Sequence, residues 1–413
     1  MIWRRCSDIF SLRSYSRRIF MTTMGPELEL LLLCARTRLD ARRIDRIRVL
    51  LQLGVNWNDL CNMAQRHGVE SLLFHSLKAS SPEMVPPKIW EQLHNHFLTM
   101  AARNLFLTQE LIKIYNLFQK NGVALIPFKG PALASYAYGD LSLRPFGDLD
   151  ILIHPQDIPR ANHLLVAQGY RWLSRLSPAQ KEIYLRAASA TFTFQHNNQR
   201  TLLELDPYFS ADELPCPVPL ERFWDRLEQT SLEDQWIAAF SPEDLLLLLC
   251  LHGTKHFWER LIWICDVAEL IHKKTEINWG RVLREAQTLH CMRLVLIGLS
   301  LAHDLLGATL PEEIERKIKV DPRAAILARQ VKERLSPGND VPPGLFTGSF
   351  FLLRASDRLQ DQVRYCFRAT WLPTFLDWEL LPLPPFFYFF YSLIRPFRLA
   401  VRYEMAFLNR ILG

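Results

Sequence analysis

None of the eight cysteines forms a CxxC pair; they fall singly at 6, 34, 61, 216, 250, 265, 291 and 366. That spacing argues against a thiolate zinc centre. Cys250 and Cys265 sit inside apolar helical runs, and the cysteines read as reduced, mostly buried thiols of a cytoplasmic protein. The chain also lacks an apolar run long enough to span a bilayer, which takes roughly 20 residues. The strongest candidate, Leu380–Ile394 (LLPLPPFFYFFYSLI), is uncharged but holds three prolines. A secretory signal is not expected either, because MIWRRCSDIFSLRSYSRRIF has no apolar h-region. Residues 1–24 therefore read as a disordered extension, with a true start at Met21 or Met24 as the accompanying expectation. Finally, there is no broad basic field. Five arginines against one aspartate place +4 of the chain's +6 in residues 1–20, which leaves the body nearly balanced and gives no support for a nucleic-acid surface.

What is present is an ordinary globular composition, 49% hydrophobic and 22% charged, over 413 residues. That length suits two or three domains, each with its own core. Residues 25–120 carry the spacing of amphipathic helices, at 27–36, 58–67 and 70–77, then in one long stretch over 90–119. Ser80–Pro87, with three prolines, reads as a loop. From 121 the period shortens. Val123–Phe128 reads as a buried strand, Ala132–Tyr138 as a helix, Leu149–Ile153 as a second strand and 157–168 as a helix closed by Gly169. The segments 191–195 and 202–205 flank the turn-like Asn197-Asn198 and read as a hairpin. Residues 207–235, with four prolines, read as irregular. Ser241-Pro242-Glu243-Asp244 has the form of a helix start, with serine at the N-cap, proline at N1 and acids in the first turn. It opens a helical stretch over 236–335. Residues 336–350 read as a Gly/Pro-rich loop and 351–413 as an aromatic, basic C-terminal region. The fold class expected is α+β, with a small mixed sheet in 121–235 embedded between helical regions.

The chemistry concentrates in that sheet. Asp148-Leu149-Asp150 precedes an apolar run, and residues two apart on a strand point to the same side. Two convergent carboxylates suit a hard cation such as Mg²⁺ (or Mn²⁺), usually held by one or two carboxylates together with substrate phosphates. A third acid is expected on a neighbouring strand, and Leu203-Glu204-Leu205-Asp206 supplies one. Glu204, flanked by leucines, is the first choice and Asp206 the second. Lys129-Gly130, between a strand and a helix, reads as a phosphate-cradling turn. Arg144 is expected to neutralise a phosphate. His252, Lys255 and His256, spaced i, i+3 and i+4, share one helix face. Three readings of that face stand side by side: a wall of the active site with Lys255 on the nucleotide phosphates, a His–Asp phosphohydrolase, or a domain-packing surface. Gly253 inside an apolar helix suggests a close approach or a kink. Phe386–Tyr391, six consecutive aromatics beside Arg395, Arg398 and Arg402, are expected to pack on the helical body, with a membrane-surface patch as the alternative.

These blocks resemble the bacterial "uncharacterised nucleotidyltransferase" family, a branch of the DNA polymerase β-like superfamily. The likeness rests on PFKGPALASYAYGDLSLRPFGDLDILI, the LLELD strand, SPEDLLLLLCLHGTKHFWERLIWICDVAELI and LPPFFYFFYSLIRPFRL, together about residues 25–405. It implies a small mixed sheet carrying metal carboxylates, and metal-dependent transfer of a nucleotide from an NTP to an acceptor. It carries Asp148 and Asp150 over as metal ligands and Lys129-Gly130 as the phosphate turn. The chain departs from the superfamily in having Lys-Gly where Gly-Ser or Gly-Gly is usual, and Asp206-Pro207 where relatives continue to histidine and tryptophan. The acceptor class stays open among a small molecule, a glycan precursor, a protein and an RNA end. The competing class is a catalytically silent nucleotide-binding or scaffold protein on the same fold.

Overall fold

The structure, a computed structural model, describes residues 24–400 apart from 188–190, 210–212, 275, 337–344 and 382. The expected N-terminal extension thus lies outside the described residues but for Met24, as does Arg402. Five helices come first: α1 (Pro26–Cys34), α2 (Ala41–Leu53), α3 (Trp57–His67), α4 (Glu70–Ser80) and the long α5 (Pro87–Lys120). Their boundaries follow local chemistry. Asp40 and Asn56 accept hydrogen bonds from the first backbone N–H groups of α2 and α3. Gly68 closes α3 in the left-handed conformation, φ 68°.

A five-stranded mixed sheet follows, built from β1 (Leu125–Pro127), β2 (Leu149–Ile153), β3 (Tyr170–Trp172), β4 (Phe192–His196) and β5 (Leu202–Asp206). The strand order is β1-β2-β5-β4-β3. β2 and β5 pair in parallel, and the other neighbours are antiparallel. The expected helix after Lys129 begins as one α-turn, α6 (Gly130–Leu133), and widens into a π-turn over Ala134–Tyr138. α7 (Ile158–Ala167) and α8 (Pro178–Ala187) lie between β2 and β4 in sequence.

The sheet separates two cores. Leu149, Ile151, Ile153, Phe192, Phe194, Leu203 and Leu205 point to one side and pack with Leu107, Leu111 and Phe118 of α5. Leu152 points to the other side, into a larger core that the N-terminal helices share with α10 (Pro242–Lys255), α11 (Leu261–Lys273), α12 (Trp279–Thr288), α13 (Met292–Leu306), α14 (Glu312–Val320) and α15 (Pro322–Leu335). The two helical regions flanking the sheet in sequence are therefore one body in space. Polar ties reinforce the joint: Arg36 Nη1 donates to the Leu306 carbonyl at 3.0 Å, and Thr37 Oγ1 to Glu269 at 2.6 Å. Six of the seven described cysteines are buried and none is in a disulfide.

Two stretches differ from the sequence reading. Residues 207–235 are not wholly irregular: α9 (Glu221–Trp224) and β6 (Glu228–Leu232) form there, and β6 makes a hairpin with β7 (Gln235–Ala239). Its turn places Glu233 at φ 52° without the Asn or Gly that usually marks such a turn. The expected loop over 336–350 gives way to α16 (Leu345–Ala355), with 337–344 outside the described residues. Beyond it stand α17 (Leu359–Trp371), α18 (Phe375–Leu380) and a further helical stretch at 390–400. No described helix is long and apolar enough to cross a membrane.

Candidate active site

The register of the parallel pair sets the site. Asp150 on β2 stands opposite Glu204 on β5, and Leu152 opposite Asp206. Alternation keeps the leucines and isoleucines beside them turned to the core, so the acids emerge on the opposite side. Asp148, just ahead of β2, joins them along one cleft of about 940 Å³. Asp148, Asp150, Glu204 and Asp206 line it, with Lys129, Gly130, Arg144, His252, Lys255 and His256. The sheet thus brings every sequence-selected residue to a single cavity.

Lys129 follows β1, and its Nζ lies 3.2 Å from Asp150 Oδ2. Gly130 has φ 55°, a conformation unfavourable to residues with a side chain, and a Cβ there would stand 3.4 Å from the Asp148 backbone oxygen. The turn therefore passes in van der Waals range of the first aspartate's backbone. Asp206 accepts a hydrogen bond from the Tyr208 N–H at 2.9 Å, which fixes its carboxylate at the strand end.

Crowding of like charge shows in the proton affinities. Burial, then Asp150 and Asp148, push the Glu204 carboxyl up to about 7, against the opposing pull of Lys129 and Lys255. Burial and Asp150 likewise raise Asp148. Among the described residues, no three His, Cys, Asp or Glu side chains are already gathered as a metal centre.

Arg144 does something other than expected. Its Nε and Nη2 donate to the two oxygens of buried Asp266 at 2.7 and 2.9 Å, and the Tyr138 hydroxyl donates to Asp266 Oδ1 at 2.7 Å. Burial alone would favour discharging the guanidinium, but the Asp266 carboxylate outweighs it and holds Arg144 cationic. Asn104 Nδ2 donates to the carbonyls of Leu141 and Arg144 at 2.6 and 3.0 Å. The loop that delivers Asp148 is therefore pinned to α5 on one side and α11 on the other. Asp266 is bound by arginine and tyrosine rather than by a histidine.

The end of α10 supplies a further wall. His252 and His256 meet edge to face at 4.6 Å, and Trp263 lies 4.9 Å from His256. Burial, then Lys129, drive the His252 imidazole well below its usual range, and burial and Lys255 push His256 down to about 3. Both rings are neutral at neutral pH. Lys255 pairs with Glu213 at the rim. Gly253 answers to packing rather than to a ligand: a Cβ would fall 2.4 Å from the Trp258 ring. The chain reverses through Phe257 and Trp258, at φ 55° and 54°, and folds the indole back onto that glycine.

Sequence reasoning passed over several cleft residues. Thr193 is the register partner of Glu204 on β4, so the expected hairpin contained the signal. Arg103 and Arg260, also in the lining, carry no local signal; Arg103 Nη2 donates to the Gly147 carbonyl at 3.1 Å and Arg260 Nε to the Arg66 carbonyl at 3.3 Å.

Neither a curated protein nor a solved structure matches the chain. Residues 54–307, from α3 to the end of α13 and including every cleft residue discussed, match the family described as uncharacterised nucleotidyltransferase. With well over half its length in that match and its acids, lysine turn and histidine helix assembled around one cleft, this chain belongs to the uncharacterised nucleotidyltransferase family.

Proposed function

We propose that this protein transfers a nucleotide from an NTP to an acceptor, with Asp148, Asp150 and Glu204 holding Mg²⁺ (or Mn²⁺) and Lys129-Gly130 set against the phosphates. The observation that carries the reading is the Asp150–Glu204 register across the parallel strands, with Asp148 beside them in the same cleft. The donor set fits the ion. Carboxylate oxygens are the ligands a hard divalent cation prefers, and Mg²⁺ needs only one or two of them when waters and phosphates complete its shell. The raised proton affinities of Glu204 and Asp148 mark a place where positive charge is in demand. A bound cation would neutralise the triphosphate and sharpen the acceptor as a nucleophile.

The chain's own groups do the rest. Lys129 brings a positive charge to the carboxylate end of the cleft. Arg144, through Asp266 and Tyr138, positions the loop that carries Asp148. His252, His256 and Trp263 offer a neutral aromatic wall for a planar part of a substrate.

A second reading, a nucleotide-holding scaffold without transfer, draws on the Lys129–Asp150 ion pair, which occupies one of the proposed ligands with a cation of the protein. Incubation with Mg²⁺ or Mn²⁺ and each NTP labelled on the α-phosphate, alone and with cell extract, separates the two. Label transfer abolished by Asp148→Asn supports the enzyme. Nucleotide binding without transfer in any extract, unchanged by Asp150→Asn, removes the metal-site argument.

A further inference from the structure

The C-terminal helices, outside the residues that match the family, expose an apolar face. On α17, Leu359, Val363, Phe367 and Trp371 recur every fourth residue, and the first three are 74%, 61% and 57% exposed. Phe386 and Phe389 are 82% and 59% exposed, and Leu393 and Phe397 continue the row along the 390–400 helix. The expected packing of the aromatic run holds for Tyr391, which is buried and stacks on Trp378 at 5.0 Å, and not for the four phenylalanines before it.

This face is built, not frayed. Arg395 donates to the Ala369 carbonyl at 2.9 Å and to Asp377 at 2.8 Å, and Arg398 reaches the same carboxylate at 2.6 Å, so the last helix is tied to α17 and α18. Every carboxylate between 351 and 400 is turned to the protein. Asp357 accepts from the Met292 N–H, Asp361 is buried beside Arg364, Asp377 holds the two arginines, and Glu379 accepts from the Arg175 N–H. The exposed side chains among the described residues of 351–400 are apolar ones together with Arg354, Arg358, Arg364, Gln360 and Cys366. A second copy of this face would set arginine against arginine with no outward carboxylate to pair them.

We propose that this face docks on the surface of an anionic phospholipid bilayer. The rings enter the headgroup boundary and the arginines meet lipid phosphates, without any segment crossing the membrane. The proposal is independent of the transfer reaction.

The test is co-sedimentation of the full chain with vesicles of phosphatidylcholine alone and of phosphatidylcholine with one-quarter phosphatidylglycerol. The chain is expected to sediment with the anionic vesicles and to be released by salt. Phe386→Ser and Phe389→Ser are expected to weaken partition about tenfold for each ring withdrawn, while unfolding at the wild-type temperature because both rings lie outside the core. A full chain that stays in the supernatant with anionic vesicles overturns the proposal, as does a double variant that sediments like the wild type. A concentration-dependent dimer dissolved by the same substitutions, without vesicle binding, assigns the face to a second copy and overturns it equally.

Discussion

Replacing Glu204 with glutamine should stabilise the metal-free protein while abolishing transfer. Glu204 stands opposite Asp150 and also feels Asp148, and burial with those two neighbours lifts its carboxyl from 4.5 to about 7. Below pH 4.5 the folded and unfolded chains both carry the proton, and the residue costs nothing. As pH rises toward 7 the unfolded chain releases a proton that the folded chain keeps, so stability falls across this window. Above it the folded protein bears the full cost of a third carboxylate. A shift of that size corresponds to about 3 kcal/mol, and solvent relaxation in an open cleft reduces it to about 1–2 kcal/mol. Glutamine keeps the shape and removes the charge. Urea unfolding in EDTA should therefore show Glu204→Gln matching the wild type near pH 4.5 and exceeding it by about 1–2 kcal/mol at pH 8. Millimolar Mg²⁺ with an NTP should stabilise the wild type more than the variant, which keeps only two of the three carboxylates. A variant no more stable than the wild type at pH 8, or one whose advantage is the same at both pH values, would refute the electrostatic argument.

Other outcomes follow from the same geometry. Arg144→Met leaves buried Asp266 without its bidentate partner and should lower stability by about 3 kcal/mol in urea, with Asp266→Leu in the same chain recovering part of the loss. Gly253→Ala pushes a methyl group into the Trp258 ring and should destabilise by about 2 kcal/mol, whereas Trp258→Ala should make the same substitution nearly neutral in a double-mutant cycle. Lys129→Ala removes the cation paired with Asp150 and should raise KM for the NTP about tenfold or more, with Lys129→Arg restoring much of it in steady-state kinetics.

Much of the site was legible because its signal is local. Asp150 and Glu204 each interrupt an apolar run and Asp148 stands just ahead of one, and alternation alone says that such acids leave the core on the side opposite their neighbours. The helix start at Ser241-Pro242 was equally local, and the structure shows Ser241 accepting from the Asp244 N–H. What the chain hid was partnership over distance. Nothing near Arg144 announces Asp266, 122 residues on, so a buried structural arginine read as a phosphate ligand. Gly253 announced a close approach but not its partner, because Trp258 returns only through a left-handed turn that no glycine marks. The β6–β7 hairpin was missed for a like reason, its turn setting Glu233 at positive φ where Asn or Gly is usual. The consecutive aromatics at 386–391 carry no helical period, so the sequence could not say that Tyr391 turns inward while Phe386 and Phe389 turn out.

In the proposed reaction this cleft moves a nucleotide and not a lone phosphate. The most direct measurement incubates the protein with Mg²⁺, cell extract and the same NTP labelled on either the α- or the γ-phosphate, and follows both the acceptor fraction and released pyrophosphate. The expected result is acceptor labelling from the α-label alone, pyrophosphate carrying the γ-label, and loss of both with Asp150→Asn. Acceptor labelling from the γ-phosphate, or labelling that persists in Asp150→Asn, would contradict it.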